Sequence, residues 1–202
     1  MRLYLIRHGE TDDNVGRMAL GRRDVPLNDR GRAQARAIAE ALRSRDGIAA
    51  VYASPLQRAV HTARPLAEAL ALEVRTDGRF IEMDIGEMDG LALVDARERY
   101  PDFMRRWLSE EVAEAEMPGG ESLTQVQERA WPAVESLRNA HDGAEAVVVT
   151  HNFVLLTVLC RVLHLPLSRF RRLRHDLGAL SLLDLTAERQ SVLSINDRCH
   201  LE

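Results

Sequence analysis

Two arginines and two histidines in this chain stand where an α/β fold gathers its ligands. Arg7-His8-Gly9 follows the apolar run Leu3-Tyr4-Leu5-Ile6, Arg58 follows Ser54-Pro55-Leu56-Gln57, and His151 follows Ala146 to Thr150. Each preceding run has the length and composition of a buried strand. The carboxyl ends of parallel strands are where open α/β sheets take ligands. Arg58 also falls in the first turn of an expected helix, where free N–H groups and the helix dipole favour an anion. Guanidinium forks and imidazoles brought to one sheet edge suit a dianionic phosphate. Read alone, each of these stretches is a strand followed by a polar turn; their convergence is what points to chemistry.

The elements that must position them alternate. Strands are expected at Leu3–Ile6, Ala49–Ala53, Glu73–Thr76 and Ala146–Thr150. Helices are expected from Asn28 to about Arg45, from Ser54-Pro55 to about Leu70, from Ser122 to about Ala140 and from Phe153 to Leu163. Asp12 to Leu27, with Gly16, Gly21 and Pro26, reads as a long functional loop. Residues 77–121 are less regular: short helical stretches near Leu93–Tyr100 and Asp102–Glu111 are broken by Pro101, and an acidic run leads to Pro118-Gly119-Gly120. The tail alternates as two more strands, Leu180–Leu185 and Ser191–Ile195. Strands alternating with helices predict an α/β fold with a largely parallel sheet.

Composition narrows the class. At 202 residues and 46% hydrophobic content the chain fits one domain, 1–202, with an excursion at about 77–121. The net charge of −4 gives no reason to expect nucleic acid or an acidic membrane as partner. All 27 basic residues are arginine, so an anion site here rests on guanidinium groups. Cys160 and Cys199 do not make a disulfide framework or a zinc pattern. Met1 to Tyr4 lacks the apolar core of a secretory signal and no run reaches membrane-spanning length, so a cytoplasmic protein is expected. Neither GxGxxG nor a Walker A pattern is present.

Five stretches carry a resemblance. Arg7-His8-Gly9-Glu10-Thr11 with Asn14, Ser54 to Ala63, Glu82 to Gly90, Pro118 to Ser122, and Val149-Thr150-His151 resemble, in order, the motifs of the histidine phosphatase superfamily, which also holds cofactor-dependent phosphoglycerate mutase. Asp89 stands where that family more usually has glutamate. The resemblance implies a three-layer architecture, with a mostly parallel central sheet and helices on both faces. It implies His8 as the nucleophile that becomes phosphohistidine, with its other ring nitrogen donating to a backbone carbonyl. Arg7, Arg58, His151 and Asn14 would hold the phosphoryl oxygens. Glu82 would be the proton donor, from its spacing four residues before Gly86; Asp84 and Glu87, close by, stay open as candidates for that role.

The expected activity is therefore a phosphomonoesterase for a small phosphorylated metabolite, with no cofactor and no metal. Expected partners are a small-molecule phosphate ester, no nucleic acid and no membrane; a homodimer is left open. The acid phosphatase branch places an aspartate just after its second histidine, where this chain has Asn152. A cofactor-dependent phosphoglycerate mutase is the runner-up activity, although the mutases place a tryptophan before the first-motif asparagine, where this chain has Asp13, and the surroundings of Arg105-Arg106 do not match their paired arginines. Three further readings compete with the phosphomonoesterase: a phosphohistidine phosphatase acting on proteins, a non-catalytic phosphate-binding module, and a metal site built from His8, Glu10 and His151.

Overall fold

The computed structural model describes residues 1–186 and 190–201. Strand β1 (Arg2–Arg7) is followed by α1 (Asp12–Val15), α2 (Asp29–Leu42), β2 (Ile48–Ala53), α3 (Gln57–Ala69) and β3 (Val74–Thr76). After short 3-10 turns come α4 (Leu93–Arg99), α5 (Pro101–Trp107), α6 (Leu123–Ala140), β4 (Glu145–Thr150), α7 (Asn152–Val162), β5 (Leu180–Leu185) and β6 (Gln190–Asp197).

The strands form one sheet in the order β3-β2-β4-β1-β5-β6. The first four are parallel; β5 and β6 run antiparallel. Leu3 to Ile6 are all buried because β1 is central and covered on both faces. Side chains alternate across a strand, so Tyr4 and Ile6 join a core with Ile38 and Leu42 of α2 and Leu66 of α3. Leu3 and Leu5 join the opposite core, with Val134 of α6 and Leu155 and Leu159 of α7. This is the expected three-layer architecture.

Register sets the site. Arg7 lies beside Thr150 and Ala53 beside Val149, so three parallel strands end nearly level. The backbone continues the pairing one step further: His8 N–H donates to Thr150 O and Ser54 N–H to Val149 O. Arg7-His8, Ser54 and His151 therefore leave the sheet at one edge.

Two local expectations change. The polar stretch after Thr11 holds a helical turn, α1, because Thr11 and Asn14 form a reciprocal capping box. The helix expected at Ser54-Pro55 starts at Gln57, since the Ser54 hydroxyl is taken by Leu56 N–H and His151. Asp24 caps it instead, accepting from Gln57 N–H at 2.7 Å.

Candidate active site

Arg7, His8, Asn14 and Glu82 line one cavity of about 300 Å³, together with Asn152, Phe153 and residues of α4 and α5. His8 is 3% exposed. Its Nδ1 lies 2.7 Å from Gly9 O; a carbonyl only accepts, so Nδ1 carries the hydrogen and Nε2 keeps its lone pair. Burial, with the charges of Arg58 and Arg7, holds its pKa well below the usual imidazole value. His8 is thus a neutral imidazole fixed in one tautomer, with the Nε2 lone pair available. The turn beneath it is tight: a Cβ on Gly9 would lie 2.6 Å from Gly31 O, and one on Gly31 would run into Glu10 O. Only a glycine pair lets β1's end approach α2 this closely.

Arg58 and His151 are fully buried, and neither lines the cavity. The His8 and His151 rings are 5.1 Å apart, and Ser54 Oγ holds His151 Nε2 at 2.7 Å. Arg58 donates to Gly21 O at 2.6 Å and Arg23 O at 2.7 Å. Asp89 grips the other side of that loop, accepting from Gly21 N–H and Arg23 N–H at 3.1 and 2.9 Å. Arg7 donates to His175 O at 2.6 Å. Asn14 Oδ1 accepts from Thr11 N–H and Oγ–H, which leaves its amide donors for the cavity. Arg7 Nε, Arg58 Nε and His151 Nδ1 are buried without a hydrogen-bond partner. Buried unpaired polar groups are costly, and two guanidinium N–H donors and an imidazole nitrogen left so are groups that an anion could satisfy.

Glu82 is 4% exposed and lines the cavity. Its carboxyl accepts from Met83 N–H at 2.8 Å and from Phe153 N–H, in the first turn of α7, at 3.3–3.4 Å. Burial outweighs these donors and the nearby arginines, so its pKa is raised and the protonated acid is favoured. Asp84 turns to Arg22 at 3.1 Å and to Gly86 N–H at 2.9 Å. Glu87 accepts from Tyr100 O–H at 2.9 Å. Neither lines the cavity. Glu10 is drawn away by Asn28 and Arg30. Among the described residues no group of three or more His, Cys, Asp or Glu side chains is arranged to hold a metal ion.

Several supports carry no sequence signal of their own. Arg129 of α6 donates to Glu82 O at 3.1 Å and to Arg79 O at 2.8 Å, and Arg22 donates to Glu82 O at 3.2 Å. Glu121 joins both arginines; although burial opposes it, they and Asp84 N–H hold its pKa below the usual carboxylate value. Thr62 accepts from Gly9 N–H and donates to Arg58 O. Ser54, Thr62, Asp89 and Glu121 sit inside the motifs yet have no role legible from them. Of the remaining histidines none lines the cavity, but the carbonyl of His175 fixes Arg7.

Residues 3–198 match the model of the histidine phosphatase superfamily, branch 1. The chain is 37% identical over 202 residues to phosphoserine phosphatase 1 of Hydrogenobacter thermophilus, covering 100% of this chain and 94% of that one. Among solved structures it is similar to Bacillus stearothermophilus YhfR, with TM-score 0.93 and 28% identity over 100% of this chain and 99% of that one. A mycobacterial glucosyl-3-phosphoglycerate phosphatase, solved with vanadate (VO3), gives TM-score 0.88 and 30% identity over 98% and 99%.

Proposed function

We propose that this chain, which belongs to the histidine phosphatase superfamily and is a phosphatase of small phosphorylated metabolites, hydrolyses its ester in two steps through His8. The observation that supports this most directly is the neutral His8, its Nδ1 tied to Gly9 O, in a fold that leaves Arg7 Nε, Arg58 Nε and His151 Nδ1 buried without a partner. The Nε2 lone pair attacks phosphorus, the bond from phosphorus to the leaving oxygen breaks, and Glu82 gives that oxygen its proton. Arg7, Arg58, His151 and Asn14 donate to the nonbridging oxygens, where charge has to be stabilised as the phosphoryl group moves. Water then attacks phosphohistidine, its proton passes to the Glu82 carboxylate, and the phosphorus–nitrogen bond breaks. Inorganic phosphate leaves and neutral His8 is restored.

Residues 77–121 are, in this reading, an excursion of a single domain 1–202 that walls the leaving-group side. A cytoplasmic location belongs to the same proposal. Rapid quench with labelled ester tests the chemistry: an acid-labile, base-stable phosphoenzyme is expected and His8→Ala is expected to abolish it, with turnover down roughly 10⁴–10⁶-fold. Label trapped on any other residue overturns the assignment.

A further inference from the structure

Resting on that reading, we propose that the ester's leaving group is an apolar, ring-sized body without a cationic group, held by the wall that α4, α5 and the start of α7 build. Twelve of the eighteen residues lining the cavity are apolar. The chain has only four phenylalanines and two tryptophans, and Phe103, Phe153, Phe170 and Trp107 gather in one cluster at this wall. Phe103 stacks on Trp107 at 5.4 Å, while Phe153 and Phe170 each meet the indole at 5.8 Å. Arg171 lies over the Trp107 ring at 5.2 Å and donates to Trp107 O at 2.7 Å. An indole packed by three rings and a guanidinium is a preorganised surface for a flat or branched apolar group.

The charges around the cavity point the same way. Among the described residues Glu82 is the only carboxylate lining it, and Glu82 faces the phosphate end as proton donor. Beyond the phosphate end the only charged lining residue is Arg97, exposed on α4 and without an ion pair among the described residues. An ammonium group on the substrate would meet mostly apolar side chains, the neutral amide of Asn152 and a like charge, with no carboxylate beyond the phosphate end to offset its desolvation. At about 300 Å³ the cavity is at the small end for ligand sites, so one ring and a phosphate fit its scale. This separates the chain from its relative named for phosphoserine, whose leaving group carries an ammonium.

The test uses esters whose alcohols are all alkyl, so that leaving-group basicity does not decide the result. For the intact protein, kcat/KM for 2-phenylethyl phosphate is expected to exceed that for O-phospho-L-serine and 2-aminoethyl phosphate by roughly 30–100-fold, as expected for burying a ring. Phosphoserine turned over equally well or better overturns this proposal and leaves the phosphatase reading standing. No hydrolysis of any ester, p-nitrophenyl phosphate included, overturns the reading beneath it and this proposal with it. Trp107→Ala is expected to lower the preference for 2-phenylethyl over ethyl phosphate about tenfold through KM. If that variant does not fold, Met104→Ala replaces it, with a smaller drop of about threefold from the shorter side chain. An equal loss for both esters would mean the wall is only structural.

Discussion

The two ends of the cavity are made from different kinds of structure. At the phosphate end, Arg7, His8, Arg58 and His151 come from strand ends and a helix start, all deep in the fold, and each is held by named backbone or hydroxyl partners. At the leaving-group end, Leu93, Arg97, Phe103, Met104 and Trp107 come from two helices of seven residues each, with Leu93 44% exposed. One end is fixed by sheet register, so its geometry changes only if the fold changes. The other end is a surface of side chains on short elements that carry no ladder pairing. Reaction type therefore resides in the backbone frame and leaving-group preference in side-chain choice.

Glu82 sits on the boundary between the two ends, and replacing it should have the largest effect that still separates them. Glu82→Gln is expected to slow alkyl phosphates roughly 10²–10⁴-fold, since an alkoxide must be protonated as it leaves. A p-nitrophenol burst of about one equivalent per site should survive, because that leaving group needs no proton. Wild-type alkyl turnover should fall as pH rises through the raised Glu82 pKa, and the variant should lack that alkaline limb. Stopped-flow bursts with both esters settle this; equal loss of both would make Glu82 a binding residue.

Arg58→Ala tests the frame itself. Loss of this buried fork should cost roughly 10²–10³-fold in kcat for every ester alike, leaving their ranking unchanged. It also leaves Gly21 O and Arg23 O without their donor. A variant whose ester ranking shifts would show that the two ends are coupled.

The smallest effect concerns stability. Burial holds His175 down to about 4, whereas the unfolded chain binds a proton near ~6.5. A depressed base loses stability as pH falls below the unfolded value, because only the unfolded state takes up the proton. Between pH 7 and 5 His175 should account for about 2 kcal/mol of lost stability. His175→Gln should remove that share, read as a smaller shift of the urea midpoint. His8 and His151 act with the same sign. An unchanged pH slope in the variant would mean His175 is hydrated and protonated in the fold.

Much of the phosphate end was legible in the sequence because its signals are local. A four-residue apolar run names a strand, and the charged residue after it marks the sheet's carboxyl edge, so the sequence alone places Arg7, His8, Arg58 and His151 together. The choice among Glu82, Asp84 and Glu87 was not local. Asp84 is turned away by Arg22, 62 residues distant, and its N–H is held by Glu121, 37 residues distant, and no spacing within 82–87 encodes those partners. Arg129 gives no signal in its helix, yet it bonds the carbonyl of Glu82. The aromatic wall is likewise tertiary: Phe103 and Trp107 share a helix, but Phe153 and Phe170 meet Trp107 only because α7 and the turn after it pack against α5. Sequence alone determined which residue types arrive at the sheet edge, since periodicity and strand ends are written in consecutive residues. Which carboxylate lines the cavity, and what lines the space beyond it, was decided by long-range hydrogen bonds and ring packing that exist only once the chain has closed.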